Sequence, residues 1–465
     1  MTSFVNALRS WLAPSVQRLT LFNYPGSLSD LGDLRRLREL QLSLVSSRRD
    51  TAQHAASDLL APLPGLSPGL TRLELSGPGV LSADLAHVGR ATSLRSLHVG
   101  GLEAWVAQDL AALSGLVHLR TLSLETSSQI LPDDALSFLS QLHRLTDLTV
   151  QFHLEGPAEL LPVQPSAFLC HCPQVRALYL RLHDLASDTL VHLTALERLS
   201  LVPSLFHESP VASAPLEGLG QLAGTLTALQ LFSRNDRVLE AVGELSRLRV
   251  LSLQGLEVRA RGHLLSSLAQ LEDLQLHGVW LTDGLASALG HMHQLRQLEL
   301  DPSCSNCLRR VCLLASLQPL APSLRSLSLR AGHLVDDDNA HLLAHLTRLT
   351  SLELPNALVR LSSLRHVRGL TGLRRLDLSL QASPSRQDSL RPYTFECGKC
   401  TPEEPCPPLS PSSYPIAIFA RTGEEEMPLL QLSKLQAVDL GGRQCSSQVV
   451  QALKDMPLVR SIKAK

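Results

Sequence analysis

Leucine recurs along this chain in the pattern L-x-x-L-x-L. Between positions 349 and 378 the pattern occurs twice, with leucines at 349, 352 and 354 and again at 373, 376 and 378. In the first copy the last two leucines alternate with Ser351 and Glu353. Such alternation has a period of two, which is typical of a strand with one buried face. Each copy therefore predicts one short strand.

A second apolar period precedes each predicted strand. In DDDNAHLLAHLTRL the leucines at 342, 343, 346 and 349 are three and four residues apart, as on one face of a helix. Asp336, Asp337 and Asp338 stand at its start, where carboxylates suit unpaired amides and the positive end of the helix dipole. The segments LPDDALSFLSQLHRLTDLTV and LTDGLASALGHMHQLRQLEL have the same order. The pattern predicts repeats of a helix followed by a strand.

The repeat extends along nearly the whole chain. An apolar residue at positions 1, 4 and 6 defines units that start at Val16, Leu37, Leu70, Leu94, Leu119, Leu145, Val175, Leu196, Leu226, Leu248, Leu271, Leu295, Leu324, Leu349, Leu373, Leu435 and Val459. Most starts are 21 to 30 residues apart, which is the range of solenoid proteins. One unit cannot bury its apolar side alone, so stacked units must form a continuous core. The sequence predicts an α/β solenoid.

These repeats resemble those of leucine-rich-repeat proteins. The segments LTDGLASALGHMHQLRQLEL and FLCHCPQVRALYL are similar to the ribonuclease-inhibitor-like subclass, which includes the repeat portion of F-box proteins. The resemblance implies a horseshoe with a parallel sheet on the concave side, helices outside and a protein-binding role. The family often has Asn or Cys three residues past the third leucine, whereas this chain has residues such as Pro78, Leu102 and Ser127 there. The turns therefore need another source of stabilisation.

One long interruption divides the array. Leu373 and Leu435 are 62 residues apart, and the sequence between them is rich in Pro, Ser and Cys. Such composition is typical of an inserted loop or small lobe. We predict a repeat array of about fifteen units over 1–380, an insertion over 381–428 and two further units of the same solenoid over 429–465.

Composition narrows the classes of protein that need to be considered. Apolar residues make up 44% of the chain and charged residues 18%, which predicts a folded protein, while 3% aromatics leave leucine to fill the core. The formal net charge of −1 gives no general attraction to nucleic acid or an anionic membrane. No secretory signal, bilayer-spanning run or N-x-S/T site is recognisable, and the nine cysteines are scattered. We expect a cytoplasmic, intracellular protein that is monomeric in isolation.

Candidate catalytic and metal-binding motifs are weak. GLSPG at 65–69 has the spacing of a nucleophile elbow, but Pro68 lacks the N–H that an oxyanion would need. Cys397, Cys400 and Cys406 are low-probability zinc candidates without a nearby fourth ligand. His341 and His345 are four residues apart, but the zincin pattern requires Glu after the first His. We predict no catalytic residue, no cofactor and no enzymatic activity.

Polar positions of the predicted strands give the best candidate surface. The third, fifth and seventh positions of each motif point to the same side of the sheet. In the C-terminal half these are Asp273, Gln275, His277, Gln297, Glu299, Asp301, Ser328, Arg330, Glu353, Asp377 and Asp439. Acidic groups predominate, so a protein partner that carries Lys or Arg would fit, although a solvated sheet face also needs polar residues.

A second polar row lies at position 2 of the motif. It is Arg in nine units: Arg38, Arg95, Arg120, Arg176, Arg249, Arg296, Arg325, Arg374 and Arg460. A cation there suits the carbonyls at the end of the preceding helix, and the favoured interpretation is helix capping. The alternative is a basic ridge for an acidic partner.

The sequence as a whole predicts a non-enzymatic scaffold for protein–protein interaction that binds through the concave sheet face. One alternative is a substrate-recognition subunit of an F-box-type ubiquitin ligase. No F-box is recognisable before the first repeat at Val16, so that role needs a docking element supplied separately. The other alternative, considered remote, is a metal-dependent enzyme that uses the cysteines of the insertion.

Overall fold

The structure is a computed structural model and divides into two compact units, Met1–Leu226 and Thr227–Lys465. It describes residues 16–22, 28, 34, 36–43, 60–66, 69–77, 84–102, 107–126, 136–152, 169–182, 189–203, 217–233, 237–255, 261–279, 281–302, 313–330, 334–335, 339–355, 361–379, 429, 432–440 and 447–463. The predicted insertion over 381–428, with Cys397, Cys400 and Cys406, lies outside the described residues. So do Asp336, Asp337 and Asp338. The domain boundaries at 380 and 429 stay predictions.

The N-terminal unit contains eight strands among its described residues. They are β1 Arg18–Phe22, β2 Glu39–Ser43, β3 Arg72–Ser76, β4 Ser96–Leu102, β5 Thr121–Thr126, β6 Asp147–Phe152, β7 Ala177–Leu182 and β8 Arg198–Pro203. Each strand pairs in parallel with the next strand along the chain.

The C-terminal unit continues the scheme with nine described strands. They are β9 Ala228–Phe232, β10 Val250–Gln254, β11 Asp273–Val279, β12 Gln297–Pro302, β13 Ser326–Leu329, β14 Ser351–Glu353, β15 Arg375–Asp377, β16 Ala437–Asp439 and β17 Ser461–Lys463. Again each pairs in parallel with the next.

The leucine pattern sets the register of both sheets. Leu122 aligns with Leu148, and Leu327 aligns with Leu352, so equivalent leucines stack from one repeat to the next. These leucines are buried, whereas the residues between them reach solvent to some extent. The predicted α/β leucine-rich-repeat solenoid, with an all-parallel sheet and helical segments, is therefore confirmed.

Helical segments connect the strands and stack on those of neighbouring repeats. The described α-helices are Leu63–Leu66, Leu85–Val88, Ala107–Ala111, Val238–Gly243, Asp283–Leu289, Leu313–Ser316 and Ser447–Lys454. The described 3₁₀ helices are Ala112–Gly115, Ser137–Gln141, Thr189–His192, Glu217–Leu222, Gly262–Ser267, Gln318–Leu320, Ala340–His345 and Leu361–Gly369.

The helix before β14 differs from the sequence prediction because it is a 3₁₀ helix. Leu343, Leu346 and Leu349 are buried and exactly one 3₁₀ turn apart, while Leu342 is only half-buried. The N–H of Leu346 donates to the carbonyl of Leu343, and that of Leu349 to Leu346, at 3.0 and 3.1 Å. The true apolar period in this repeat is therefore three. A 3₁₀ helix advances farther per residue than an α-helix, which suits a short connection between strands.

Glycines replace the missing asparagine at some turns. Gly77, Gly101, Gly255 and Gly278 follow strands β3, β4, β10 and β11 or end them, and all have positive φ. A Cβ on Gly101 would lie 2.5 Å from the carbonyl oxygen of Gly77 in the preceding repeat. Stacked left-handed glycines thus provide the tight exit from the sheet that side-chain hydrogen bonds provide elsewhere in such repeats.

Candidate functional site

The register of the C-terminal sheet arranges the polar strand positions in rows. The central row contains Gln230, Ser252, Gln275, Glu299, Ser328, Glu353, Asp377, Asp439 and Lys463. On one side of it, Asp273 aligns with Gln297, and on the other, His277 aligns with Asp301. The sheet therefore gathers the predicted site residues on a single face.

Three carboxylates occupy consecutive strands of the central row. Glu353, Asp377 and Asp439 align on β14, β15 and β16, and neighbouring strands of a sheet are about 4.8 Å apart. We call these three residues the acidic row. Asp377 accepts a hydrogen bond from the N–H of Ser379 at 2.8 Å, and Asp439 forms an ion pair with Lys463 at 3.3 Å. Glu353 has no ion-pair partner among the described residues.

Next to the acidic row lies a more enclosed group. Glu299 forms an ion pair with Arg330, with 2.7 Å between the carboxylate and the guanidinium. Ser328 aligns with Glu299 on one side and Glu353 on the other. Ser328 is only 6% exposed, and its Oγ has no hydrogen-bond partner among the described residues. This hydroxyl is therefore a buried polar group that the described part of the chain leaves without a hydrogen bond.

Two carboxyls at the start of this face have perturbed acidity. Burial raises the pKa of Asp273, a hydrogen bond from Gln275 opposes the increase, and the nearby charge of Glu299 adds to it. Burial also raises the pKa of Asp301, although the charges of His277 and Arg330 oppose the increase. Both carboxyls are thus partly desolvated, and their negative charge is costly where they lie.

The predicted site residues do not all have the expected exposure. Asp273, Gln275, Glu299, Asp301, Glu353, Asp377 and Asp439 are half-buried on the sheet face, as is His277, while Gln297 and Arg330 are exposed. Ser328 is buried instead, because the longer side chains of Glu299 and Glu353 flank it in the same row. Their role in binding stays a prediction.

Two basic residues of this face were missing from the sequence prediction. Lys463 occupies the fifth position of the last repeat and neutralises Asp439. Arg375 occupies the third position of its repeat and aligns with Ser351. Both follow from the repeat positions, so applying the same rule to the acidic and the basic residues would have found them.

The N-terminal sheet face has another organisation. The hydroxyl of Thr20 donates to Gln41 at 3.2 Å, and the amide of Gln41 donates to Glu74 at 2.9 Å, so three consecutive strands are joined by side chains. Arg198 pairs with Asp147 at 2.8 Å. This face therefore satisfies much of its own charge.

Some arginines at position 2 form ion pairs with glutamates at the same position of neighbouring repeats. Arg249 and Arg296 lie on either side of Glu272 and form ion pairs with it at 3.3 and 3.4 Å. Arg176 pairs with Glu197 at 3.3 Å. Glu197 and Glu272 occupy the same motif position as the arginines, so the described contacts of this part of the row are between repeats.

Candidate metal and thiol chemistry is limited within the described residues. No group of three or more His, Cys, Asp and Glu side chains there could hold a metal ion. The rings of His341 and His366 meet edge to face with 6.2 Å between centroids, and burial lowers the pKa of His366, as do Arg365, His341 and Arg368. Burial raises the pKa of Cys172 to about 12, which keeps it a thiol at neutral pH.

The described part of the chain contains no helix with the length and apolar character required to cross a bilayer.

Comparison with known proteins gives matches to solved structures alone. No family model matches the chain, and no curated protein matches its sequence. An internalin of Listeria monocytogenes is 16% identical, with a TM-score of 0.44, over 81% of this chain and 94% of that one.

Two further structures cover more of the chain. A leucine-rich-repeat protein of Leptospira interrogans is 16% identical with a TM-score of 0.47 over 98% and 97% of the two chains. The chain of the TLR13–ssRNA13 complex is 17% identical with a TM-score of 0.46, over 97% of this chain and 65% of that one. On the strength of its own stacked parallel repeats, the fold of this chain is a leucine-rich-repeat solenoid.

Proposed function

We propose that this chain is a non-enzymatic binding protein and that its C-terminal sheet face holds a protein segment that carries Lys or Arg. The observation that carries the proposal is the acidic row Glu353, Asp377 and Asp439, with the unsatisfied Oγ of Ser328 beside it. A lysine ammonium or an arginine guanidinium offers several donors, which carboxylates and a hydroxyl can accept together.

The fold does not need three adjacent carboxylates. The equivalent row of the N-terminal unit has a single carboxylate, Glu74, and neutral residues such as Ser123, Thr149 and Ser200 at most other positions. Like charges directly opposite each other on neighbouring strands destabilise a sheet. A cationic side chain bound between them would remove that repulsion, so the acidic row is more useful for a partner than for the fold.

Four expectations from the sequence stay predictions. They are the role as a ubiquitin-ligase receptor, membership of the ribonuclease-inhibitor-like subclass, the metal-dependent enzyme and the cytoplasmic location. The described residues offer no observation that favours an enzyme or an F-box role over a general binding function. The proposal therefore concerns the chemistry of the partner and leaves its identity open.

Binding of a short lysine-rich peptide to the purified chain tests the proposal. The variant Glu299→Gln/Glu353→Gln/Asp377→Asn should lose at least about tenfold in affinity, because charge-assisted hydrogen bonds are worth about 1.5–3 kcal/mol each. The remaining binding should depend less on salt concentration, because fewer charges contribute.

The matched control changes three carboxylates of the N-terminal face, in Glu39→Gln/Glu74→Gln/Asp147→Asn. It removes the same charge from the third and fifth positions of repeats in the other unit, which lie on its sheet face. The control should bind the peptide as the unmodified chain does. Equal losses in both variants would mean that only total charge matters, and the proposal of a C-terminal site would be wrong.

A further inference from the structure

The edge of the C-terminal unit where strands begin carries a second charged surface of opposite sign. A cleft of about 330 Å³ lies there, and its lining includes Arg325, Arg348, Arg374 and Lys434. We call these four residues the basic cleft. All four side chains are exposed, and none has an ion-pair partner among the described residues. None of the described residues that line the cleft is acidic.

The backbone explains why the four cations meet. Thr350 N–H donates to the carbonyl of Arg325 at 2.7 Å, and Arg374 N–H donates to the carbonyl of Thr350 at 2.8 Å. Arg325 and Arg374 thus belong to one row, two repeats apart. Arg348 and Lys434 come from the turns just before that row, in the repeats between and beyond them. Each of the four repeats therefore supplies one cation, alternately from the arginine row and from the turn before it. Together the four repeats span about 14 Å along the sheet.

A glycine keeps the middle of the cleft open. Gly372 occupies the turn position that is Arg348 in the preceding repeat and Lys434 in the following one, and it lines the cleft with them. A Cβ there would come within 3.3 Å of the carbonyl oxygen of Leu349. A bound group can therefore approach the backbone between two cations, with Arg374 from the same repeat beside it.

Some arginines of the same row have carboxylate partners, unlike those of the basic cleft. Arg249 and Arg296 share Glu272, and Arg176 has Glu197, so in those repeats the protein supplies its own anions. In the basic cleft Thr350 stands at the position that Glu272 has in its repeat. Four cations without a carboxylate repel one another, and an external anion would relieve that repulsion.

We propose that the basic cleft binds the phosphate group of a phosphorylated serine or threonine in a protein partner. Guanidinium groups match phosphate oxygens with two parallel hydrogen bonds, and a phosphate monoester carries about two negative charges at neutral pH. The cleft takes residues that the acidic row does not use, so this site stands whether or not the sheet face binds a cationic segment.

The surroundings favour a phosphopeptide over a nucleic acid. The row of cations is broken by the neutral residues Thr350 and Gln436, and the acidic row lies on the same unit, so a long polyanion would meet repulsion. A second cleft of about 510 Å³ adjoins the first and shares Arg325. Its lining also includes Arg296, which is already paired with Glu272, and the neutral residues Gln294, Pro322 and Ser323. These neutral residues suit the backbone on either side of a phosphorylated residue.

The first experiment measures binding of a short Gly/Ala peptide with one phosphoserine by isothermal titration calorimetry. We expect saturable binding of the phosphorylated peptide and at least about tenfold weaker binding of the unphosphorylated form. Inorganic phosphate should compete for the same cleft but bind more weakly than the peptide, because it lacks the flanking backbone. Equal binding of the two peptides, or no saturable binding up to about 10 mM, would overturn the proposal.

The second experiment locates the site. Arg348→Gln/Arg374→Gln should weaken phosphopeptide binding by about tenfold or more, and Lys434→Gln alone by several-fold. The matched control Arg176→Gln/Arg249→Gln removes the same charge from arginines that already have carboxylate partners, and it should change affinity by less than about twofold. Unchanged affinity in the first variant would place the phosphate elsewhere.

Two further arms separate the alternatives. A single-stranded RNA that displaces the phosphopeptide and binds more tightly than it does would overturn the choice of a peptide ligand. The sheet-face variant Glu299→Gln/Glu353→Gln/Asp377→Asn should bind the phosphopeptide at least as well as the unmodified chain. A loss in that variant would show that the two surfaces are one site and that the basic cleft is not an independent one.

Discussion

The central rows of the two sheet faces have the same geometry and opposite electrostatic organisation. In the N-terminal unit, Thr20, Gln41 and Glu74 are hydrogen-bonded in series across three strands. In the C-terminal unit, the equivalent positions of three consecutive strands are Glu353, Asp377 and Asp439, of which Glu353 has no ion-pair partner among the described residues. Along these strands the N-terminal row joins its polar side chains to one another, and the C-terminal row leaves negative charge available.

This difference separates what the fold requires from what a partner could use. Alternation of buried and solvent-facing residues is common to both units, as the patterns of β5 and β11 show. The fold thus needs only a polar residue at the outward positions, and neutral residues such as Ser123 and Thr149 of the N-terminal unit are sufficient there. The carboxylates of the C-terminal unit exceed this requirement, which is why we propose a binding role for them.

Arginines of the row at position 2 also differ from repeat to repeat in their partners. Arg176 and Arg249 pair with glutamates of neighbouring repeats, whereas Arg325 and Arg374 have no such partners among the described residues. The favoured sequence interpretation treated the whole row as helix caps. A row with one residue type can thus have two local roles, and the identity of the neighbouring repeat decides which applies.

The largest expected effect concerns the core, in which the two units should be alike. Leu122 and Leu352 both occupy position 4 of their repeats and are fully buried. Replacing either with Asp buries an unpaired charge in a packed site, so each change should lower the free energy of unfolding by at least about 3 kcal/mol. Urea denaturation monitored by circular dichroism measures this, with the lowered transition expected in the unit that carries the change.

The neighbouring position supplies the control for this prediction. Glu353→Ala, one residue from Leu352, should change stability by less than about 0.5 kcal/mol because the side chain reaches solvent. Comparable losses at Leu352 and Glu353 would contradict the alternation on which the fold rests. A large loss at Leu352 with none at Leu122 would contradict the view that both units have the same core.

Much of the fold was predictable because one spacing controls several levels of structure. L-x-x-L-x-L determines which residues of a strand are buried, and stacking then aligns Leu327 with Leu352 and Leu352 with Leu376. The helical type was not predicted correctly before β14, because leucines at 342 and 343 permit periods of three and of four. Only packing shows that Leu342 is peripheral and that Leu343 and Leu346 carry the core contact.

The site was predictable in its rows but not in its contacts. Repeat positions are sufficient to place Glu353 beside Asp377, since both are fifth in their motif. Side-chain length decides the rest: Arg198 reaches Asp147 past the short Ala177 of the strand between them. The basic cleft also depends on Gly372. The sequence does not show that this glycine lies between cationic side chains, because its neighbours come from other repeats.

The next prediction contrasts two glutamates at the fifth position of their repeats. Glu353→Gln removes one of the adjacent like charges, so it should raise the free energy of unfolding by about 0.2–0.5 kcal/mol. Glu74→Gln disrupts a row in which Glu74 accepts a hydrogen bond from Gln41, and it should lower stability by about 0.5–1.5 kcal/mol.

Chemical denaturation at low and high salt checks both signs. The gain at Glu353 should shrink at high salt because it comes from repulsion between charges that solvent ions can screen. If both substitutions had the same sign at low salt, the two faces would not differ in the way described. Gln residues keep nearly the same shape as Glu, so packing should contribute little to either result.

The smallest expected effect concerns pH and two aspartates at the third position of their repeats, Asp147 and Asp273. Burial raises the pKa of Asp273 in the folded chain above its ordinary value, so the folded state binds the proton more readily than the unfolded state. The stability that this carboxyl contributes is therefore greatest below its ordinary pKa and is lost as the pH rises through the raised value.

Asp273→Asn removes the cost of the buried charge and can still accept the hydrogen bond from Gln275. Relative to the unmodified chain, this variant should gain stability between about pH 4 and pH 7. Asp147→Asn should instead lose up to about 1 kcal/mol at pH 7, because it breaks the pair with Arg198. Urea titrations at the two pH values would measure both variants, and a stability difference at Asp273 that falls with rising pH would show that its carboxylate is stabilised where it lies.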